Sequence, residues 1–211
     1  MPVRSPSARL ARPNVITLAS GSTLERVHDR NFRADRFNPC QGAPTRFAPM
    51  YDARDNCVPS LYAADTLEAA IFETIFHDVP VADSRKTVPR TLVESRVHGR
   101  IELQRDLRLV SLRAPDLRRW RVSRNSLIAS PPQFYEDTVR WAEAIHRQFP
   151  DVEGLSWTSN QCDPDTAYLF FGGRVSAGDF RIVQARDGMV DPSFLADVRQ
   201  AGRRSGISIT V

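Results

Sequence analysis

Apolar residues along the chain follow two periods, one typical of strands and the other of helices. Helical spacing of three and four residues predicts three helices, which begin near Asp65, near Pro131 and at Asp191. These helices interrupt the strands without regular alternation, which favours an α+β fold in a single domain. Short apolar or alternating runs predict the strands, at residues 24–28, 59–64, 90–97, 108–112, 152–157, 167–171, 180–184 and 207–211.

The first predicted helix contains a carboxylate in an apolar setting. Asp65 is the expected N-cap, with Glu68 three residues later completing a capping-box pair, and the apolar stripe continues to residue 76. Glu73 lies between Phe72 and Thr74 in the apolar half of this helix. Because an unpaired buried charge is costly, we expect Glu73 either to pair with an arginine or to line a pocket.

Two segments show neither period. Residues 1–13 are rich in serine, proline and arginine and predict a flexible N-terminal arm, followed by one domain over residues 14–211. Residues 29–49 contain glycine, prolines and arginines and predict an irregular loop.

Composition narrows the class of protein. The chain has 211 residues, of which 41% are hydrophobic and 26% charged, as in an ordinary globular domain. No apolar run approaches the roughly 18 residues of a membrane span, and no signal peptide is recognisable, so we expect a cytoplasmic protein. Three widely spaced cysteines and four histidines without ligand spacing predict reduced thiols and no metal site.

The positive charge is unevenly distributed. The formal net charge is +4, and every basic residue except Lys86 is an arginine. Residues 1–46 hold eight arginines against three acidic residues. Codon bias in a GC-rich genome explains the preference for arginine without any function. The functional alternative is a partner of this region that is a nucleic acid, a phosphorylated small molecule or an acidic protein, because arginine binds phosphate and carboxylate through two parallel hydrogen bonds.

Several residues between 26 and 159 are candidates for chemistry, although each also has a structural interpretation. Tyr62 is either a core aromatic residue or a flat platform for a planar ligand. Arg46 lies in a stiff apolar frame between Pro44 and Phe47. Ser159 follows an apolar strand and has no His/Asp partners in sequence, so it suits a turn or a ligand hydrogen bond and does not support a hydrolase triad.

In order along the chain, these residues resemble the RES domain, the toxin of RES–Xre toxin–antitoxin modules. The resemblance covers about residues 22–185. One departure from the family is Thr45-Arg46-Phe47-Ala48, where many members have Gly-Arg-Trp-Asn. The upstream segment Arg36-Phe37-Asn38 has a similar composition, but Arg46 is favoured as the family's second arginine because it lies nearer to Tyr62 in sequence. The matching positions are Arg26, Phe37-Asn38-Pro39, Arg46, Tyr62 within Leu61-Tyr62-Ala63-Ala64, Glu73 and Ser159.

The resemblance implies a fold similar to the ADP-ribosyltransferases of the diphtheria-toxin type and a toxin that consumes NAD+. Such a protein cleaves the nicotinamide–ribose bond and passes ADP-ribose to a protein, phosphate or water, and an Xre-type antitoxin neutralises it. By resemblance, Glu73, Tyr62 and Arg46 are catalytic. The NAD+-binding residues implied in the same way are Arg26, His28, Phe37, Asn38 and Ser159.

Two other functions remain open from the sequence. A nucleic-acid-binding module or RNA-targeting toxin would use the basic N-terminal region and bind with steep salt dependence, although no clustered basic helix or RNA-binding motif is present. A pseudo-enzyme would bind NAD+ without cleaving it.

Overall fold

The computed structural model describes residues 3–211, which form one α+β domain around a large sheet. The fold class predicted from the sequence is therefore confirmed. The strands are β1 (Val15–Leu18), β2 (Thr23–Asp29), β3 (Met50–Tyr51), β4 (Cys57–Val58), β5 (Ser60–Ala64), β6 (Lys86–Pro89), β7 (Arg96–Leu103), β8 (Leu107–Ser111), β9 (Gly154–Thr158), β10 (Thr166–Phe171), β11 (Phe180–Asp187) and β12 (Ile207–Thr210). The helices are α1 (Leu67–Phe72), α2 (Arg90–Glu94), α3 (Ala114–Leu117), α4 (Arg124–Leu127), α5 (Tyr135–Gln148) and α6 (Pro192–Ser205).

Eight strands form the main sheet, in the order β1-β8-β9-β10-β5-β2-β7-β11. The β8–β9 pair is parallel and the other neighbours are antiparallel. Leu109 of β8, Leu24 of β2 and Phe180 of β11 share one apolar cluster although their strands lie far apart in this order. The sheet therefore curls around that cluster.

The helices cover the opposite face of the sheet. Trp141 of α5 is 1% exposed and packs in a cluster with Leu155 of β9 and Leu169 of β10. Ile71 of α1 and Phe194 of α6 pack in a second cluster on the same side. The apolar period that predicted α5 is the period of its buried face.

The start of α1 differs from the prediction. Thr66, not Asp65, is the N-cap, and its hydroxyl accepts a hydrogen bond from the backbone N–H of Ala69 at 3.0 Å. The Asp65 carboxylate instead accepts from the backbone N–H of Thr166 on β10 at 2.9 Å. The helix ends at Phe72, so Glu73 is its C-cap and not an interior residue.

The predicted strand over residues 90–97 is wrong in its first half. Residues Arg90–Glu94 form α2, and β7 begins only at Arg96. The β-branched residues Thr91 and Val93 favour a strand locally. Burial of Val93 at 0% exposure and the Arg90–Glu94 ion pair across one turn, at 2.8 Å, stabilise the short helix instead.

The N-terminal arm is packed where the structure describes it, over residues 3–13. Val3 and Leu10 are buried in the cluster beneath α5. The Trp141 indole N–H donates to the carbonyl of Arg4 at 2.6 Å, and that of Trp120 to Ala11 at 2.8 Å. The expectation of a flexible arm is corrected for these residues. The sequence did not indicate this packing, because isolated apolar residues leave no periodic signal. Met1 and Pro2 lie outside the described residues.

The prediction of three reduced thiols is also wrong. Cys40 and Cys57 form a disulfide, with their Cα atoms 6.0 Å apart, while Cys162 is free and buried. The β3–β4 hairpin brings Cys57 back towards the loop that carries Cys40. This pairing depends on tertiary geometry that cysteine spacing does not reveal. The cytoplasmic location, which rested partly on reduced thiols, stays a prediction.

Two further findings concern residues 3–211 only. No helix in this range is long and apolar enough to cross a membrane. No group of three or more histidine, cysteine, aspartate or glutamate side chains in it is arranged to hold a metal ion.

Candidate functional site

The centre of the site is the carboxylate of Glu73, which lies where α1 ends. Its Oε1 accepts two hydrogen bonds, from the Ser159 hydroxyl at 2.5 Å and from the Asn160 backbone N–H at 3.0 Å. Both donors lie in the loop that follows β9. No hydrogen bond to Oε2 occurs within residues 3–211, so this oxygen is available to a ligand. Glu73 and Ser159, which were each predicted as site residues, are in direct contact.

Ser159 is itself held rigidly. It is 0% exposed, and its Oγ accepts hydrogen bonds from the backbone N–H groups of Gln161 at 3.1 Å and Cys162 at 2.9 Å. Since both of these groups donate to Oγ, the hydroxyl proton is directed towards Glu73. Ser159 therefore fixes the position of one carboxylate oxygen.

Tyr62 holds the loop that carries Arg46. The backbone N–H of Phe47 donates to the Tyr62 hydroxyl at 3.1 Å, and Thr45 Oγ1 lies 3.0 Å from the same hydroxyl. Thr45 Oγ1 donates its own proton to the carbonyl of Ala48 at 3.0 Å, so Tyr62 is the donor to Thr45. Burial raises the pKa of Tyr62 to about 12, which keeps the hydroxyl protonated for this role.

Arg46 is buried to 6% exposure and bound by the chain around α5. Its Nη1 donates to the carbonyl of Ser130 at 3.2 Å and to its hydroxyl at 3.3 Å. The guanidinium carbon lies 5.4 Å from the ring centroid of Tyr135. Thr138 donates a hydrogen bond to the Arg46 carbonyl. Tyr62 and Arg46 thus belong to one packed unit, although their side chains make no direct hydrogen bond.

Three residues near this unit were not predicted from the sequence. The Tyr135 hydroxyl lies 3.3 Å from His77 Nε2, and Glu73 and Asp78 are near enough for their charges to raise the pKa of Tyr135, after the larger effect of burial. Arg124 of α4 donates to the Ser159 carbonyl at 3.0 Å. The sequence carries no signal for these contacts, because they join segments far apart in the chain.

Arg26 and His28 lie on a different part of the sheet. Because side chains alternate along a strand, Arg26 and His28 point to the opposite face of the sheet from Glu25 and Val27. Glu25 pairs with Ala64, so Ala64 and Tyr62 lie on the same face as Val27. Arg26 Nη1 donates to the carbonyls of Ala34 at 2.7 Å and Arg36 at 2.9 Å. Burial lowers the pKa of Arg26 to about 10, so it remains a cation at neutral pH.

His28 is uncharged at neutral pH, because burial lowers its pKa to about 4. Its Nδ1 is 2.9 Å from the Asp29 carbonyl, and its buried Nε2 has no hydrogen-bond partner in the described part of the chain. A neutral imidazole lacks the charge to bind a pyrophosphate. Its role in binding NAD+ stays a prediction.

Phe37 and Asn38 organise the loop after β2. Phe37 packs on Phe180 with ring centroids 6.2 Å apart, on the concave side of the sheet. The Asn38 side chain accepts from the Gln41 backbone N–H at 2.7 Å and donates to the Gln41 carbonyl at 2.8 Å. None of these contacts reaches Glu73. The structure therefore places Glu73 against Ser159 and packs Tyr62 with the Arg46 loop, and Tyr135 links the two pairs, since its ring lies against Arg46 and the Glu73 charge acts on it. A separate group contains Arg26, His28, Phe37 and Asn38.

The curled sheet with helices on one face defines the class of fold, and comparison with known proteins gives the family. The chain matches the RES domain over residues 23–192 and therefore belongs to the RES-domain family. Its fold is similar to a chain in the crystal structure of the MbcT–MbcA toxin–antitoxin complex of M. tuberculosis, with a TM-score of 0.63 and 15% sequence identity. That alignment covers 87% of this chain and 92% of the other. No curated protein gives a significant match.

Proposed function

We propose that this protein is the toxin of a toxin–antitoxin module and that it consumes NAD+ by breaking the bond between nicotinamide and ribose. Membership of the RES-domain family supports this assignment. The observation that carries the mechanism is the Glu73 carboxylate, whose Oε1 is fixed by Ser159 and Asn160 while Oε2 is left for a ligand. A similar fold occurs in a toxin–antitoxin complex, which supports an antitoxin partner.

The chemistry needs a carboxylate of this kind. When the C1′–N1 bond breaks, its electron pair goes to the nicotinamide nitrogen, which loses its positive charge and leaves as a neutral molecule. Positive charge then develops on the ribose as an oxocarbenium ion. Glu73 stabilises this charge by electrostatic attraction, and its fixed orientation means that little reorganisation is needed in the transition state. A nucleophile then adds to C1′ and loses its proton.

Arg46 supplies positive charge for the pyrophosphate. Two of its nitrogens, Nε and Nη2, make no hydrogen bond within residues 3–211, and two such donors match the geometry of a phosphate. Its burial at 6% exposure increases the strength of that contact. Tyr62, edge-on to Trp157 with ring centroids 6.2 Å apart, offers a partly exposed ring against which a nicotinamide can pack.

The N-terminal arginines give little support to nucleic-acid binding. Arg26 donates to two backbone carbonyls, and Arg46 is buried and so adds little to an exposed basic surface. Arg30 pairs with Asp187 and Arg33 with Asp35, both at 2.9 Å. These ion pairs neutralise part of the local positive charge. They therefore reduce the exposed positive charge that could bind a nucleic-acid backbone.

The proposed function is tested with the full chain made by cell-free synthesis, which avoids toxicity to a host. NAD+ labelled in the adenine ring is added, with and without phosphate and cell lysate. We expect loss of NAD+ and release of nicotinamide. Label in free ADP-ribose identifies water as the acceptor, label in its phosphate identifies phosphate, and label on a protein band identifies a protein. Intact NAD+ in buffer alone, with phosphate and with lysate would contradict the proposal, and bound but intact NAD+ would identify a pseudo-enzyme.

The contact between Ser159 and Glu73 gives a first prediction. Ser159→Ala removes the 2.5 Å hydrogen bond to Oε1, and we expect kcat for NAD+ consumption to fall by about 10-fold to 100-fold. Ser159→Thr keeps a hydroxyl and is expected to recover most of the activity. The matched control is Ser156→Ala, because Ser156 is equally buried but its Oγ has no partner among residues 3–211. Equal kcat in Ser159→Ala and Ser156→Ala would show that this hydrogen bond does not serve catalysis.

A further inference from the structure

We infer that Tyr135 is a positioning residue that sets the orientation of the Arg46 guanidinium for the pyrophosphate of NAD+. This inference rests on the proposed function. Tyr135 begins α5 and is far from Arg46 in sequence, but its ring lies 5.4 Å from the guanidinium carbon. A cation at this distance from an aromatic ring is attracted to the ring, most strongly where water is excluded. Tyr135 and Arg46 are 5% and 6% exposed, so water is largely excluded here.

The contacts of Arg46 show why a ring is needed. Nη1 is the only nitrogen of this side chain that donates a hydrogen bond within residues 3–211, and both of its acceptors belong to Ser130. Contacts at one nitrogen leave the guanidinium free to rotate about them. The Tyr135 ring adds contact with the guanidinium carbon and restricts this rotation. Nε and Nη2 then keep one orientation, which a phosphate can meet with two hydrogen bonds.

Tyr135 is fixed at its other end. Its hydroxyl lies 3.3 Å from His77 Nε2, and His77 Nδ1 lies 2.7 Å from the Asp78 carboxylate. If Nδ1 carries the proton that binds Asp78, Nε2 accepts the proton of Tyr135, and both contacts are satisfied. Burial raises the pKa of Tyr135 by more than the charge of Arg46 lowers it, which keeps that proton in place. Tyr135 therefore connects Arg46 with the chain just after Glu73.

This arrangement separates the role of the ring from that of the hydroxyl. The attraction to Arg46 requires only the ring, and the contact with His77 requires only the hydroxyl. Tyr135→Leu removes both, while Tyr135→Phe keeps the ring. Tyr51→Leu is the matched control, because Tyr51 is 41% exposed and lies on β3, and its side chain makes no hydrogen bond in the described part of the protein.

The test measures NAD+ consumption as a function of NAD+ concentration for the wild type and these three variants. For Tyr135→Leu we expect KM to rise about 10-fold, with kcat within about threefold of wild type. For Tyr135→Phe we expect KM to return to within about threefold of wild type. A purely structural role would lower the amount of active enzyme, and hence the apparent kcat, without changing KM.

A second measurement does not depend on turnover. NAD+ is titrated by calorimetry into Glu73→Gln and into the double variant Glu73→Gln/Tyr135→Leu, and we expect about 10-fold weaker binding to the second. If the wild type consumes NAD+ but Tyr135→Leu changes neither KM nor this binding, or if Tyr135→Phe and Tyr135→Leu raise KM equally, the inference is wrong and the proposed function stands. If the wild type neither consumes nor binds NAD+, the proposed function is wrong and the inference falls with it.

Discussion

Glu73→Gln is expected to reduce NAD+ consumption by about 100-fold to 1000-fold while leaving the fold intact. Glutamine has nearly the same shape as glutamate, and its carbonyl oxygen still accepts the hydrogen bonds that Ser159 and Asn160 donate to Oε1. What it lacks is the negative charge that stabilises the oxocarbenium ion. The loss should therefore appear in kcat, because the interaction is strongest in the transition state.

The control for this experiment is Glu68→Gln, on the same short helix. Glu68 lies on the surface and pairs with Arg204 at 3.1 Å. Removal of an exposed ion pair has a small effect on stability, and we expect no effect on turnover. Thermal unfolding of both variants should match that of the wild type. Wild-type turnover by Glu73→Gln would show that the reaction does not depend on this carboxylate.

Phe170→Ala is expected to lower the free energy of unfolding by about 4 kcal/mol. Phe170 is 0% exposed in β10, between β9 and β5, and its ring packs edge-on against Phe180 with centroids 5.4 Å apart. Loss of the ring leaves a cavity at the centre of the concave face. For a domain of this size, the change corresponds to a decrease of about 12 °C in Tm.

Urea denaturation monitored by tryptophan fluorescence measures this effect. Phe32→Ala is the matched control, since Phe32 is 46% exposed, and we expect a change within about 0.5 kcal/mol. Phe170→Leu, which leaves a smaller cavity, should fall between the two. Equal midpoints for Phe170→Ala and Phe32→Ala would mean that the concave cluster contributes little to stability.

The sequence predicted those parts of the fold in which one period continues over several residues. The stripe through Trp141 and Ile145 identified α5, because a helix on a sheet must bury one face. The sequence-based prediction was wrong where an element is only about one helical turn long, as at Arg90–Glu94. There, burial of Val93 outweighs the local preference for a strand. The strand at Val15–Leu18 was missed for a similar reason, because four residues with partial burial give little alternation.

The site was predictable in part. The order of motifs that resembles the RES domain pointed to Glu73, Tyr62, Arg46 and Ser159 as candidates, and the structure places Glu73 against Ser159. Their roles stay predictions. Tyr135 and His77 could not be found in this way. They are 58 residues apart and meet only because the start of α5 lies against the segment that follows α1. Contacts of this kind depend on the arrangement of elements and leave no local pattern.

The disulfide between Cys40 and Cys57 has a consequence for how the Arg46 loop responds to proteolysis. Residues 41–45 are exposed and lie within the loop that this bond closes, as does Arg46. A protease that cuts in this stretch separates the backbone into two fragments, but the bond keeps them covalently joined. Phe47 and Tyr62 both lie C-terminal to such a cut, so their hydrogen bond stays within one fragment. Under denaturing conditions a nicked protein would therefore migrate as one species without a reductant and as two fragments after reduction of the disulfide.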